Sequence, residues 1–145
     1  MFVNRRTVRI EWGDCDPAGI VFYPRYFAMF DHSTAMLLEA ATGYTKYQMR
    51  DVYDFVGFPM VDTSAKFFIP SKFGDDIVIE STIEEFGKSS FNVLHKVLKG
   101  DAIAIEARET RVWACKHPDD PLRIKSKPIP DEVVAKLSGK KTVEV

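Results

Sequence analysis

The chain has 145 residues, with 20 basic against 21 acidic side chains and a formal net charge of −1. It therefore lacks the overall field that nucleic-acid and anionic-membrane binders use, and any anion site has to be local. Two cysteines, Cys15 and Cys115, do not make a secreted disulfide scaffold, which favours a reduced, cytoplasmic setting.

The length fits one domain over residues 1–145, long enough to fold around its own core. No apolar run reaches the about 7 residues of a signal h-region or the about 18 of a membrane span, so neither is expected. In chain order, Thr7 to Trp12 alternates, with Val8, Ile10 and Trp12 on one side and Arg9 and Glu11 on the other, as a half-buried strand does. Tyr23 to Ala41 follows as the one long helix. Its apolar residues Tyr26, Phe27, Phe30, Leu37, Leu38 and Ala41 recur at three- and four-residue intervals, Pro24 suits its first turn and Gly43 its stop. Tyr44 to Asp54 is compatible with a second short helix. Phe55 to Ile69 is strand-like, with Pro59 and Pro70 limiting its pairing. Strands then dominate: Asp76 to Phe86, a turn at Gly87-Lys88-Ser89, Ser90 to Leu98, a turn at Gly100-Asp101, and one long strand from Ala102 to Cys115. The segment from His117 is rich in Pro and Lys, with a short helix over Pro130 to Leu137 and a polar tail over about 139–145. This order predicts an α+β fold, an antiparallel sheet wrapped around one long central helix. Its edges, with Phe67-Phe68-Ile69 and Val112-Trp113-Ala114, predict a homodimer.

Between the first strand and the long helix lies Gly13-Asp14-Cys15-Asp16-Pro17-Ala18-Gly19. Asp-x-Asp-Pro-x-Gly places an acid on a tight turn, and the helix that follows brings unpaired backbone N–H groups to the same neighbourhood. A carboxylate beside amide dipoles is a device for acyl chemistry. The competing use of both aspartates is to cap a turn through local hydrogen bonds, and for Asp14 that structural use leads. Cys15 is disfavoured as a nucleophile because its flanking carboxylates oppose a thiolate. His32 reads as a structural hydrogen-bonding group, Asp31 and His32 as polar residues within reach of a substrate hydroxyl or a partner chain, and His95 and His117 lack metal-ligand spacing.

The run Ile10-Glu11-Trp12-Gly13-Asp14-Cys15-Asp16-Pro17-Ala18-Gly19-Ile20-Val21-Phe22-Tyr23-Pro24-Arg25-Tyr26 resembles the 4-hydroxybenzoyl-CoA thioesterase family of the hotdog fold. Weaker likeness continues through Gly57-Phe58-Pro59-Met60-Val61, Ser64-Ala65-Lys66-Phe67 and Lys88-Ser89-Ser90-Phe91. The resemblance implies hydrolysis of an acyl-CoA thioester without a metal or cofactor, coenzyme A being part of the substrate. It also implies dimers or dimers of dimers (a homotetramer) whose sites are shared between subunits. It assigns the catalytic carboxylate to Asp16 and the carbonyl-polarising backbone N–H to Tyr23. Asp16 is then either a nucleophile forming a mixed anhydride or a general base on water.

A pocket for an aromatic or short-to-medium acyl group is expected from Phe22, Tyr26, Phe27, Phe30, Phe58 and Met60. The phosphates of coenzyme A need local cations, for which Lys72, Lys88, Arg111, Arg123, Lys125 and Lys127 are candidates. The expected coenzyme A contacts are Lys88, Ser89, Ser90, Arg123 and Lys125. The alternatives to a thioesterase are a non-catalytic acyl-CoA binding module and, more distantly, a hydratase or dehydratase, whose chemistry wants a histidine near Asp16.

Overall fold

In the computed structural model, which describes residues 1–139 and 142–144, the chain forms β1 (Val3–Arg9), a 3₁₀ turn (Trp12–Asp14), α1 (Tyr23–Thr42) and α2 (Lys46–Val52). There follow β2 (Met60–Phe67), β3 (Asp76–Phe86), β4 (Ser90–Lys99), β5 (Ala102–Val112), β6 (Ala114–Lys116), β7 (Ile124–Ser126), α3 (Asp131–Ser138) and β8 (Thr142–Glu144). Among the described residues the main sheet has the order β2-β5-β4-β3-β1-β8, and β6 and β7 form a separate hairpin. All neighbours in the main sheet are antiparallel except β8, which runs parallel to β1. The expected polar tail thus contributes a strand at residues 142–144; residues 140, 141 and 145 lie outside the described residues.

α1 is as expected. Pro24 sits in its first turn, and Gly43, in the left-handed region at φ 81°, stops it by donating to the Glu39 carbonyl at 2.8 Å. A residue with a Cβ is strained at that φ, which is why glycine closes this helix. One face, with Tyr26, Met29, Phe30, Ser33, Thr34, Leu37 and Leu38, is buried on the sheet. The opposite face, with Arg25, Ala28, Asp31 and His32, is exposed.

Three strands differ from expectation. The first starts and ends earlier, pairing in register from Val3 opposite Thr82 to Arg9 opposite Asp76. Its inward phase still includes Ile10, fully buried, but the chain turns at Glu11 and leaves Trp12 75% exposed against Phe73. The strand expected over Ala102 to Cys115 breaks at Trp113. That indole is fully buried and stacks on Phe55 with ring centroids 4.2 Å apart, and β6 leaves to pair with β7. Burying one large aromatic side chain stabilises by about 3 kcal/mol, and the break leaves the backbone satisfied, since the Trp113 N–H donates to the Ser89 carbonyl at 2.7 Å and its carbonyl accepts from the Lys127 N–H at 2.8 Å. Of Phe55 to Ile69 only Met60–Phe67 is a strand, and it forms the open sheet edge with nearly every side chain exposed.

Candidate active site

The loop from Gly13 to Val21 is held by its own backbone. The Phe22 N–H donates to the Asp14 carbonyl at 2.8 Å, Cys15 bridges Val21, and Val21 N–H donates to the Ser71 carbonyl at 2.9 Å. Within it the two aspartates separate in role. The Asp14 carboxylate accepts from the Glu11 N–H at 2.9 Å and closes the 3₁₀ turn. Asp16 is partly buried; its backbone N–H and carbonyl are engaged by Ile20 and Gly19 at 3.0 and 2.9 Å, and its Oδ1 accepts from the Ala18 N–H at 2.9 Å. Gly19 makes the return at φ 83°. Oδ2 has no partner among the described residues. The carboxylate is thus oriented by one bond and keeps one oxygen available, the arrangement a nucleophile or a base needs.

Tyr23 opens α1, and its N–H finds no acceptor among the described residues. Being at the first helical position, it carries part of the positive end of the helix dipole. Its ring is 59% exposed and lies edge-on to Phe22 and Phe27. Beside it opens an apolar cavity of about 200 Å³, lined by Ile20, Val21, Tyr23, Tyr26, the Phe67–Pro70 segment and Ser71. Asp16 is not in its wall.

Residues 10–137 match the profile of the thioesterase-like superfamily. The 4-hydroxybenzoyl-CoA thioesterase of Pseudomonas sp. strain CBS-3 is 35% identical over 112 residues, which span 73% of this chain and 79% of that protein. This chain belongs to the 4-hydroxybenzoyl-CoA thioesterase family of hotdog-fold thioester hydrolases. A 1,4-dihydroxy-2-naphthoyl-CoA hydrolase of Nostoc punctiforme is 27% identical, with 92% of this chain and 84% of that one aligned. Among solved structures, the Pseudomonas enzyme superposes with a TM-score of 0.83 at 30% identity over 92% of this chain and 98% of its own. A gentisyl-coenzyme A thioesterase gives 0.78 at 30% identity over 93% and 99%.

In this thioesterase the six residues expected around the acyl group fall in different places. Tyr26 lines the cavity beside Tyr23. Phe22 is 48% exposed and lies edge-on to Tyr23, and Phe27 packs against Phe30 and Phe67. Phe30 is fully buried core, stacked on His95. Phe58 and Met60 border a separate depression of about 370 Å³ with Asp31, Lys46 and Arg111. Helical spacing puts Tyr26 and Phe30 on one inward face, but the side of the cavity formed by Phe67, Phe68 and Ser71 comes from a distant segment that spacing cannot pair with it.

The expected coenzyme A contacts divide similarly. The Lys88 and Ser89 carbonyls accept from the Ile129 and Trp113 N–H groups at 2.9 and 2.7 Å, which seats the turn before β4, with Lys88 and Ser89 and next to Ser90, against Trp113 at the end of β5 and the segment after β7. Lys125 lines a groove of about 680 Å³ with Arg50, Lys116 and Lys127. Arg123 is exposed in the turn before β7. Three other candidate cations are already committed. The Lys127 ammonium donates to the Tyr53 and Asp54 carbonyls, both at 2.9 Å, Lys72 pairs with Asp75 at 3.1 Å, and Arg111 is buried.

Arg111 belongs to a polar chain inside the core that sequence reasoning missed. Glu109, 2% exposed, accepts from Arg111 Nε at 2.9 Å through Oε1 and from its Nη2 at 3.0 Å through Oε2. Arg111 also donates to Asp31 at 2.7 Å and to the Phe58 carbonyl at 3.1 Å. Thr34 donates to Glu109 at 2.5 Å, His95 Nε2 lies 3.1 Å from the Thr34 hydroxyl, and its Nδ1 lies 2.7 Å from Ser81 Oγ. Burial pushes the Glu109 carboxyl up, but the side-chain hydrogen bonds from His95, Arg111 and Thr34, with a coulombic contribution from His95, outweigh it and bring it to about 2. The available signal was phase: His95 shares the inward side of β4 with Val93 and Val97, and Glu109 shares that of β5 with Ala107. Among the described residues no cluster of His, Cys, Asp and Glu is arranged to hold a metal ion.

Proposed function

We propose that this thioesterase hydrolyses an aromatic acyl-CoA, with the carboxylate of Asp16 as nucleophile or general base and the Tyr23 N–H polarising the thioester carbonyl. The observation that carries this is the presence, on one short braced loop, of a carboxylate oxygen and a helix-first N–H that both lack partners among the described residues. One such donor aimed at a developing oxyanion stabilises the transition state by about 3 kcal/mol. The relatives' named substrates, 4-hydroxybenzoyl-CoA, 1,4-dihydroxy-2-naphthoyl-CoA and gentisyl-coenzyme A, support an aromatic acyl group. A similar structure of an Asp-to-Asn mutant 4-hydroxybenzoyl-CoA thioesterase with 4-hydroxybenzoyl-CoA bound, TM-score 0.85, supports an aspartate as the working carboxylate. The acyl group is assigned to the cavity at Tyr23 and Tyr26, and the nucleotide phosphates to Lys88, Arg123 and Lys125, with Ser89 and Ser90 on the same turn.

The active unit is a homodimer, alone or paired into a dimer of dimers. β2 offers an unpaired edge, and Val61, Phe67 and Phe68 are 64%, 47% and 57% exposed along and just past it. A second copy paired there covers this apolar edge and closes the cavity at Phe67 and Phe68. Both cysteines are unpaired, which suits a cytoplasmic setting.

Thiol release from a panel of acyl-CoA esters, followed for wild type and Asp16→Asn, tests the reading. Rapid release by wild type and its loss in the variant are expected. Tight ester binding without release by wild type would reduce the chain to a carrier. In ¹⁸O water, single-turnover label entering Asp16 selects the covalent route with water attacking the aspartyl carbon of the anhydride; label confined to the acid means that water attacks the acyl carbon, of the thioester or of the anhydride.

A further inference from the structure

A buried polar layer cuts the core in two. On one side of it the first turns of α1, through Tyr26, Met29 and Phe30, cluster with Ile77, Ile79 and Val97; on the other, Ala35, Leu37 and Leu38 cluster with Ile83, Phe91 and Val93. Between the two clusters in chain order lie Ser33 and Thr34 of α1, Ser81 of β3, His95 of β4 and Glu109 of β5, all buried. The layer ties one turn of the helix to β1, β4 and β5. Arg6 of β1 donates through Nε to Ser33 Oγ at 2.8 Å and through Nη2 to the Met29 carbonyl at 3.3 Å. Thr34 meets His95 and Glu109, and Asp31 meets Arg111. Ser81 holds the other ring nitrogen of His95.

Stability is a weak reason for such a layer, because desolvating an arginine and a glutamate costs about as much as their pairing returns, and apolar residues of the same volume often do as well. What the layer adds is direction. Apolar contact is non-directional, whereas a hydrogen bond weakens steeply away from its proper length and angle, and one buried polar position can fix the register of packed helices. A helix is a stiff rod, so a turn fixed at Thr34 sets the place of Tyr23, about 16 Å away along the axis at about 1.5 Å per residue. The loop holds the chain as far as Phe22; from Tyr23 onward the helix holds it. We infer that Thr34, anchored by Glu109 and His95, and Ser33, anchored by Arg6, are positioning residues that keep α1 in the register at which the Tyr23 N–H meets the thioester carbonyl. This rests on the role given to Tyr23 in the thioesterase reading above.

The test uses Thr34→Val, Thr34→Ser and the double variant Ser33→Ala/Thr34→Val, with Gly43→Ala as a control that loosens the same helix beyond the layer. Thiol release gives kcat and KM, and ¹H–¹⁵N spectra of ¹⁵N-tyrosine-labelled protein report the Tyr23 amide directly. Thr34→Val should lose about tenfold in kcat and the double variant about 10²-fold, the cost of misplacing a reacting group by about 1 Å. KM should stay within about twofold, because the donor acts on charge that develops in the transition state. The Tyr23 amide resonance should move in both variants, while Thr34→Ser, which keeps the hydroxyl, and Gly43→Ala stay near wild type in kcat and in that resonance. An unmoved Tyr23 resonance in Thr34→Val overturns the inference, whether or not the double variant folds. So does a kcat loss in Thr34→Ser or Gly43→Ala as large as in Thr34→Val. An active wild type with Thr34→Val at the wild-type kcat overturns the inference alone, whereas a wild type that releases thiol from no acyl-CoA ester overturns the thioesterase reading and, with it, the catalytic purpose of the layer.

Discussion

Asp16 and Glu109 are both carboxylates oriented by neighbouring hydrogen-bond donors, yet the fold treats them in opposite ways. Glu109 is buried with both oxygens paired and a guanidinium against it; Asp16 sits half-buried on a loop with a single bond to one oxygen. A fully paired carboxylate has no lone pair to offer and no route for water, so its work is to hold elements together. A carboxylate held by one bond keeps its direction and its reactivity. The two regions also differ in what a substitution exposes: at Glu109 a buried arginine loses its buried carboxylate and keeps Asp31 and the Phe58 carbonyl, whereas at Asp16 the loop keeps its backbone bonds.

The largest expected effects break this contrast most directly. Asp16→Asn should lower kcat by about 10²- to 10⁴-fold with a denaturation midpoint close to wild type, read by thiol release and urea titration; a variant that keeps its rate would remove Asp16 from the chemistry. Glu109→Ala should do the reverse on stability, costing about 3–5 kcal/mol because Arg111 loses its buried partner, as measured by urea denaturation. Were it neutral, the buried chain would not brace the core.

A pH titration sharpens the same point. The Glu109 carboxyl is depressed in the folded state from 4.5 to about 2, so its contribution is fully present above about 4.5 and is lost as pH falls from there toward 2. Wild type should lose stability across that window, and Glu109→Gln should flatten that part of the curve; parallel curves would contradict the assignment. Smaller effects come last. Gly43→Ala, at φ 81°, should cost about 1 kcal/mol with kcat untouched, since it acts at the far end of α1 from Tyr23. Lys125→Glu should raise KM more than it lowers kcat, and an unchanged KM would take Lys125 out of the nucleotide site.

Much of the fold was legible because its signals are local. Pro24 and Gly43 bracket α1, and the limits of β3 follow from alternation of its isoleucines and the turn at Gly87. The misreadings came where a distant contact overruled a local pattern. Trp113 continues the composition of β5, but its indole fits against Phe55 and ends the strand. Trp12 continues the alternation of β1, but the turn closed by Asp14 sends it to the surface. In the site, Asp16 and Tyr23 are seven residues apart and visible together. The pocket walls are not, since Tyr26 meets Ser71 only through the pairing of Val21 with Ser71.

By itself the sequence determined the loop, the helix it feeds and the class of chemistry, because turn, cap and helix-start preferences act over a few residues and need no partner. Only the tertiary structure decided which carboxylate was spent on the core and which cations were already tied to carbonyls. Those outcomes depend on burial and on hydrogen-bond partners separated by tens of residues, and a pairing energy exists only once packing has brought both partners out of water.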